Sequence, residues 1–150
     1  MIARQQTKST ASKTFHPLAR FVTKEAIALL LNRKPEEIYR IDCWRHVIHV
    51  VGKGISRFVS YADLPPVLSV EPPTHTDMCR WRKRCAVQKQ KHVPKFWVDF
   101  YVQKFMQAVD FHDLAAWGEL IGTIKQVFSI EALQTLRSVY LSAKYVLQEF

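Results

Sequence analysis

The sequence predicts a mainly α-helical fold with one small β-hairpin, and three observations carry that expectation. Residues 95–150 place apolar side chains at steps of three and four. Two β-rich runs, Val47–Val51 and Ile55–Val59, flank a Gly52-Lys53-Gly54 break. Helix-start residues precede apolar or charged stretches at Thr23, Pro35 and Thr76. A chain of 150 residues, 48% hydrophobic and 12% aromatic, can build one real core, which excludes wholesale disorder. No apolar run approaches the roughly 18 residues of a membrane span, and the start MIARQQTKSTASKTF lacks the apolar segment of a secretory signal. Three cysteines at unequal spacing make no disulfide framework. A soluble protein of a reducing compartment is therefore expected.

The elements follow in order. Residues 1–18 are basic, polar and free of acids, and read as a flexible tail, although a mitochondrial transit peptide has the same composition. Thr23 suits an N-cap, with Glu25 in the first turn and Val22 and Ile27 placed for a hydrophobic staple. This first helix stops near Asn32. Pro35, followed by Glu36 and Glu37, suits the start of a second helix over 35–46. At 100° per residue, Ile38, Ile41 and Trp44 share one face of it, opposite Glu36, Tyr39, Arg40 and Cys43. The β-branched content of 38–51 also permits one long strand. The hairpin comes next, then Ser60-Tyr61-Ala62-Asp63 opens a short capped helix that Pro65 and Pro66 curtail. Residues 69–93 read as a linker and a basic helix starting at a Thr76 cap, and 94–150 as three helices near 95–109, 112–127 and 130–149. In the last, Leu133, Leu136, Tyr140, Ala143, Leu147 and Phe150 form a short heptad seam, the expected homodimer contact.

Charge gives the first functional clue. The 22 Lys and Arg against 13 Asp and Glu leave +9. Residues 1–92 hold 17 basic and 7 acidic side chains, whereas 93–150 hold 5 and 6. One part of the chain is suited to a polyanion, nucleic acid before an anionic membrane.

Two blocks then point to a family. Val22-Thr23-Lys24-Glu25-Ala26-Ile27-Ala28-Leu29-Leu30 resembles the opening helix of MerR-type and excisionase-type winged helix-turn-helix domains. Ser56-Arg57-Phe58-Val59-Ser60-Tyr61-Ala62-Asp63-Leu64 resembles their wing exit. The match spans about residues 21–68, inside a predicted 19–68 DNA-binding domain, with 94–150 as a helical dimerisation region. The small size is similar to the MerR-type repressors that accompany cyanobacterial type V-K CRISPR-associated transposons. The resemblance implies that the second helix enters the major groove of double-stranded DNA while the hairpin grips the flanking backbone. It also implies a homodimeric repressor on an inverted repeat in a bacterial, nucleoid-associated, cytoplasmic setting. The residues themselves show no cofactor and no small-molecule effector, and three short helices in place of the family's long dimerisation helix depart from its effector-sensing forms.

Residue chemistry suggests the contacts. Arg40 and Tyr39 project from the outer face of the second helix, where an Arg fork suits guanine. Glu36 suits either cytosine or the helix dipole. Arg33 and Lys34 suit phosphates, as do Lys53 at the hairpin tip and Arg57 on its second strand. Lys24 and Ser56, inside the two blocks, complete that set. In the basic run Cys79–Cys85, Arg80, Lys83 and Arg84 share a side and suit a phosphate strand; a nuclear-localisation signal has a similar look.

Other chemistries find less. His75, Cys79, Cys85 and His92 bracket the basic run, but their spacing matches no common zinc pattern. Asp110-Phe111-His112-Asp113 reads as a capped helix start before it reads as a catalytic cluster. Phe96, Trp97, Phe100, Tyr101 and Phe105 recur at helical spacing and read as core and interface. No catalytic motif is present in the sequence, so a non-enzymatic DNA-binding regulator is expected. The rivals are an excisionase-like factor that bends DNA, and an RNA-binding or metal-dependent nucleic-acid enzyme.

Overall fold

Helix α1 (Lys24–Leu31) forms where its capping residues place it: Thr23 Oγ accepts from the Ala26 N–H at 3.1 Å, and Asn32 closes it at φ 58°. The computed structural model describes residues 16–148, and the elements below are those of the described residues. After α1 come a 3-10 turn at Pro35–Glu37, strands β1 (Ile38–Cys43), β2 (Ile48–Gly52) and β3 (Ile55–Val59), and a second 3-10 turn at Tyr61–Asp63. Helices α2 (His75–Val87), α3 (Lys95–Gln107), α4 (Phe111–Thr123) and α5 (Ile130–Gln148) complete the chain. The protein is mainly helical with a small three-stranded antiparallel sheet in the order β1-β2-β3.

The second helix of a helix-turn-helix is not there. Pro35 opens only one turn, and Ile38–Cys43 continue as strand β1 paired with β2. A β-bulge explains why the pattern looked helical. Between Ile38 and Arg40 the β1 register advances two residues against one on β2, leaving Tyr39 as the extra residue. Ile38 and Ile41, three residues apart, therefore sit on rows of the same inward face, and a spacing of three imitates helical period. Trp44, assigned to the buried face of that helix, is 49% exposed beyond the end of β1.

The β2–β3 hairpin matches its expected place, with Gly52 opposite Ile55 and Gly54 at φ 71° in the connecting turn. Ser60 and Asp63 form the expected capping box. Gly52 is required by close approach: a Cβ there would lie 2.6 Å from the Glu37 carbonyl oxygen, which accepts the Lys53 N–H at 2.8 Å. Gly52→Ala should therefore cost about 1–3 kcal/mol, read as a lowered urea midpoint at unchanged m.

Two boundaries in the basic segment differ from expectation. Helix α2 begins at His75 under a Thr74 cap, two residues earlier than a Thr76 cap would place it, because Asp77 completes a capping box with Thr74. The tail does not reach residue 18. Residues 1–15 lie outside the described part, but Leu18 and Phe21 are fully buried on the turn Pro17–Phe21.

The core is continuous from that turn to α5. A chain of rings links Phe21 to Trp81, Trp81 to Trp97, and Trp97 to Phe128, with centroids 5.7–6.2 Å apart. Trp97, Phe100, Tyr101 and Phe105 are buried core residues of α3, as their spacing suggests. Tyr101 donates to the Pro66 carbonyl at 2.6 Å, and the Trp97 indole to the Asp63 carbonyl at 3.0 Å. The segment after the sheet is thus packed on the C-terminal helices. The heptad seam packs in part within its own chain. Leu136 is buried, and Leu133, Tyr140, Ala143 and Leu147 pack against the chain's own core, with Tyr140 5.4 Å from Phe105. Phe150 lies outside the described residues. The seam is partly covered within the protomer because α3 and α4 fold back on α5, and of its described residues only Leu136 is buried.

Candidate nucleic-acid interface

The sheet has one covered and one open face. Alternation places Cys43, Ile48 and Val59 in one row and Ile41, Val50 and Arg57 in the next, facing the core. Ile48 and Val50 are fully buried. The opposite face carries Asp42, His49 and Phe58 in one row and Arg40, Val51 and Ser56 in another. No element covers it among the described residues: Arg40, Ser56 and Phe58 are exposed.

Three rings group at the end of that face. Trp44 lies 5.3 Å from Phe58 and 5.5 Å from His49, and His49 lies 5.0 Å from Phe58. Trp44 is 49% and Phe58 59% exposed. His49 is held in place, its Nε2 3.0 Å from Ser56 Oγ and its Nδ1 3.9 Å from Asp42. Arg40 lies along the same surface, its Nε donating to Asp42 at 2.8 Å. A contiguous aromatic patch on an open sheet, next to an Arg fork, has the chemistry of a stacking surface: exposed ring faces beside a hydrogen-bonding guanidinium. The sequence reading did not single out Trp44, His49 or Phe58 as contacts. A strand reading of 38–51 contains the signal, since it aligns Asp42, His49 and Phe58 across three strands.

The predicted contact residues divide into three groups. Tyr39, 65% exposed at the bulge, Arg40 and Ser56 are on or beside the open sheet surface. Arg57 belongs to an inner row, yet it is exposed because β3 is an edge strand. A second group sits around α1 and the hairpin tip. Lys24, Lys34 and Glu36 are exposed, and Lys53 stands 3.8 Å from Glu37. Arg33 is used locally, donating to the Lys53 carbonyl at 3.2 Å and to those of Leu31 and Asn32. It fastens the end of α1 to the hairpin tip. The Glu37 carboxyl lies below its usual range, chiefly because it accepts the Lys34 backbone N–H.

The third group is on α2. Arg84 holds Asp63 through two bonds, at 2.7 and 3.3 Å, and Arg80 reaches Asp77 at 3.2 Å. Lys83 is exposed. Arg80, Lys83 and Arg84 line one recess together with His16 and His46, so the structure does bring these three together.

Metal chemistry finds no assembled site among the described residues. No group of three or more His, Cys, Asp or Glu is placed to hold a metal ion there. Cys79 Sγ approaches only His75 Nε2, at 3.7 Å, and Cys85 is buried. Burial raises the Cys43 thiol and the Tyr61 phenol, so neither is a ready nucleophile at neutral pH. Asp110 and Asp113 cap α4, the Asp113 N–H donating to Asp110 at 2.8 Å. No helix of the described residues is long and apolar enough to cross a membrane. Compared with family models, curated proteins and solved structures, the chain matches none of them.

Proposed function

We propose that this protein is a sequence-specific regulator that binds double-stranded DNA, and that it reads the duplex with the open face of its three-stranded sheet. The observation that carries the proposal is that face itself: uncovered, rich in hydrogen-bonding and aromatic side chains, and rigidly backed by the core. Sheet elements enter the major groove in several DNA-binding architectures. Here Arg40 supplies the fork for guanine O6 and N7, and Phe58 an apolar contact for a thymine methyl. Lys53, Arg57 and Lys34 ring the sheet and suit phosphates. The winged arrangement keeps its hairpin under this reading, with the sheet in place of a recognition helix.

Repression from an inverted repeat as a homodimer remains the regulatory part of the proposal. The Leu133–Leu147 seam packs partly on the protomer's own core and keeps partly exposed apolar side chains for that dimer contact. A second reading, binding of single-stranded nucleic acid, is favoured by one observation: Trp44, His49 and Phe58 form a ring platform of the kind unpaired bases stack on.

Fluorescence anisotropy decides between them. Duplex DNA from beside the protein's own gene, a scrambled duplex, the separated strands and matched RNA are titrated at two salt concentrations. A preference of roughly a thousandfold for the native duplex supports the regulator. Tighter binding of single strands supports the second reading. Equal, steeply salt-dependent binding of every polyanion overturns sequence specificity. Point variants then separate the contacts. Arg40→Ala should cost about 1–3 kcal/mol on the preferred site and flatten discrimination there. Lys53→Ala should weaken all duplexes alike and reduce the salt slope by about one.

A further inference from the structure

We infer that the recess between the β1–β2 turn and helix α2 is a phosphate-binding site, which takes one backbone phosphate of the nucleic acid lying on the sheet. This inference rests on the nucleic-acid reading above for its source of phosphate, but not for its chemistry. The recess has a volume of about 270 Å³ and is lined by His16, His46, Tyr61, Arg80, Lys83 and Arg84. That is several times the roughly 30 Å³ share of one liquid water, so a phosphate fits with part of its hydration. No carboxylate is among the lining residues. The two nearby acids act from behind: Asp63 holds Arg84 and Asp77 holds Arg80, fixing both guanidiniums beside the opening.

His16 is set up to donate into such a site. Its ring stacks on Tyr61, with centroids 4.6 Å apart and planes 10° apart. Its Nδ1 accepts the Leu18 N–H at 3.0 Å, so the neutral ring carries its proton on Nε2. Burial lowers the tendency of this imidazole to protonate, the charges of Arg80 and His46 lower it further, and only Asp77 opposes them. Arg80 and Arg84 each have a carboxylate partner, whereas Lys83 has no ion-pair partner among the described residues, so an entering anion meets an unpaired ammonium flanked by two fixed guanidiniums. The recess also adjoins the sheet surface: the Tyr61 hydroxyl donates to the carbonyl of Trp44, whose ring belongs to the aromatic patch. A strand crossing the patch continues past the β1–β2 turn to the recess.

Imidazole NMR of the full chain tests this. Inorganic phosphate and, separately, the duplex of the preceding section are added while the His16 and His46 titrations are followed. Both additions should raise the two midpoints, because a bound anion favours the protonated rings. Lys83→Gln should abolish the phosphate-induced rise and reduce the log–log salt slope of duplex binding by about 0.9, one phosphate's worth. If the midpoints do not move with inorganic phosphate, the phosphate site is overturned. If they move with inorganic phosphate but not with bound duplex, its assignment to the backbone is overturned. Failure of any nucleic acid to bind defeats the proposed function, yet a phosphate-dependent shift would still establish the site.

Discussion

Replacing Trp44 and Phe58 together by alanine should weaken nucleic-acid binding by about 2–4 kcal/mol, a loss of roughly 30- to 900-fold. Each ring is about half exposed, so most of its value is available to a ligand and little is invested in the core. The backbone bond that ties Trp44 to Tyr61 uses the Trp44 carbonyl and survives the change. The double variant removes three ring pairs worth roughly 0.5–1.5 kcal/mol each, so it should lose about 1.5–4.5 kcal/mol of stability, and binding is read at a temperature where the urea curve shows it folded. Anisotropy on the duplex and on its separated strands, beside urea denaturation, provides the measurement. A loss confined to single strands would assign the rings to unpaired bases. Unchanged affinity for both would remove the sheet face as the interface.

The largest stability effect of a single substitution should come from Asp77→Ala, about 3 kcal/mol or more. Asp77 is the one buried charged residue among the described residues, 1% exposed. Its carboxylate accepts from Arg20 at 2.5 Å, from Arg80 at 3.2 Å and from the Thr74 N–H at 3.0 Å. Arg20 in turn donates to the carbonyls of Pro17, Glu71 and Pro72 and lies 4.1 Å over the Phe21 ring. One carboxylate thus joins the N-terminal turn, the loop before α2 and α2 itself. Its removal uncaps the helix and leaves a half-buried guanidinium without its charge partner.

That carboxylate also sets a pH dependence. Burial by itself would raise the Asp77 carboxyl, but the Thr74 backbone bond and the Arg20 guanidinium outweigh burial and hold it below 3.8. A carboxyl depressed in the folded state contributes stability that is complete above its unfolded value. The contribution is lost as pH falls through the lower folded value. Urea midpoints of the native protein should therefore drop as pH falls below about 4. Asp77→Asn, which keeps the size and the Thr74 contact, should flatten that fall. An equally steep acid fall in Asp77→Asn would assign it to other carboxylates.

Local signals were legible wherever one element's own residues decide its conformation. Thr23 and Asn32 bound α1, Ser60 and Asp63 bound a turn, and Asp110 starts α4, because each cap is a bond between neighbours in sequence. The β2–β3 hairpin was legible for the same reason. The basic side shared by Arg80, Lys83 and Arg84 followed from helical geometry, and it became the wall of a recess once His16 and His46 arrived from elsewhere in the chain.

Residues 35–46 were decided otherwise. Ile38, Ile41 and Trp44 satisfy a helical wheel, and only pairing with β2, with Tyr39 extruded as a bulge, selects the strand. A strand's hydrogen bonds lie in its partner strand and not within itself, so its own sequence records the preference weakly. The same holds for the Leu133–Leu147 seam. An apolar stripe specifies that it must be buried, not against which surface, and here α3 and α4 supply the partner within one chain. By itself, then, the sequence determined the caps of α1 and α4, the β2–β3 hairpin, a basic half and a sufficient core, all set by short-range bonding and composition. Tertiary structure alone decided the open aromatic sheet face, the recess beside it and the partner of the final helix, because each depends on which distant surfaces meet.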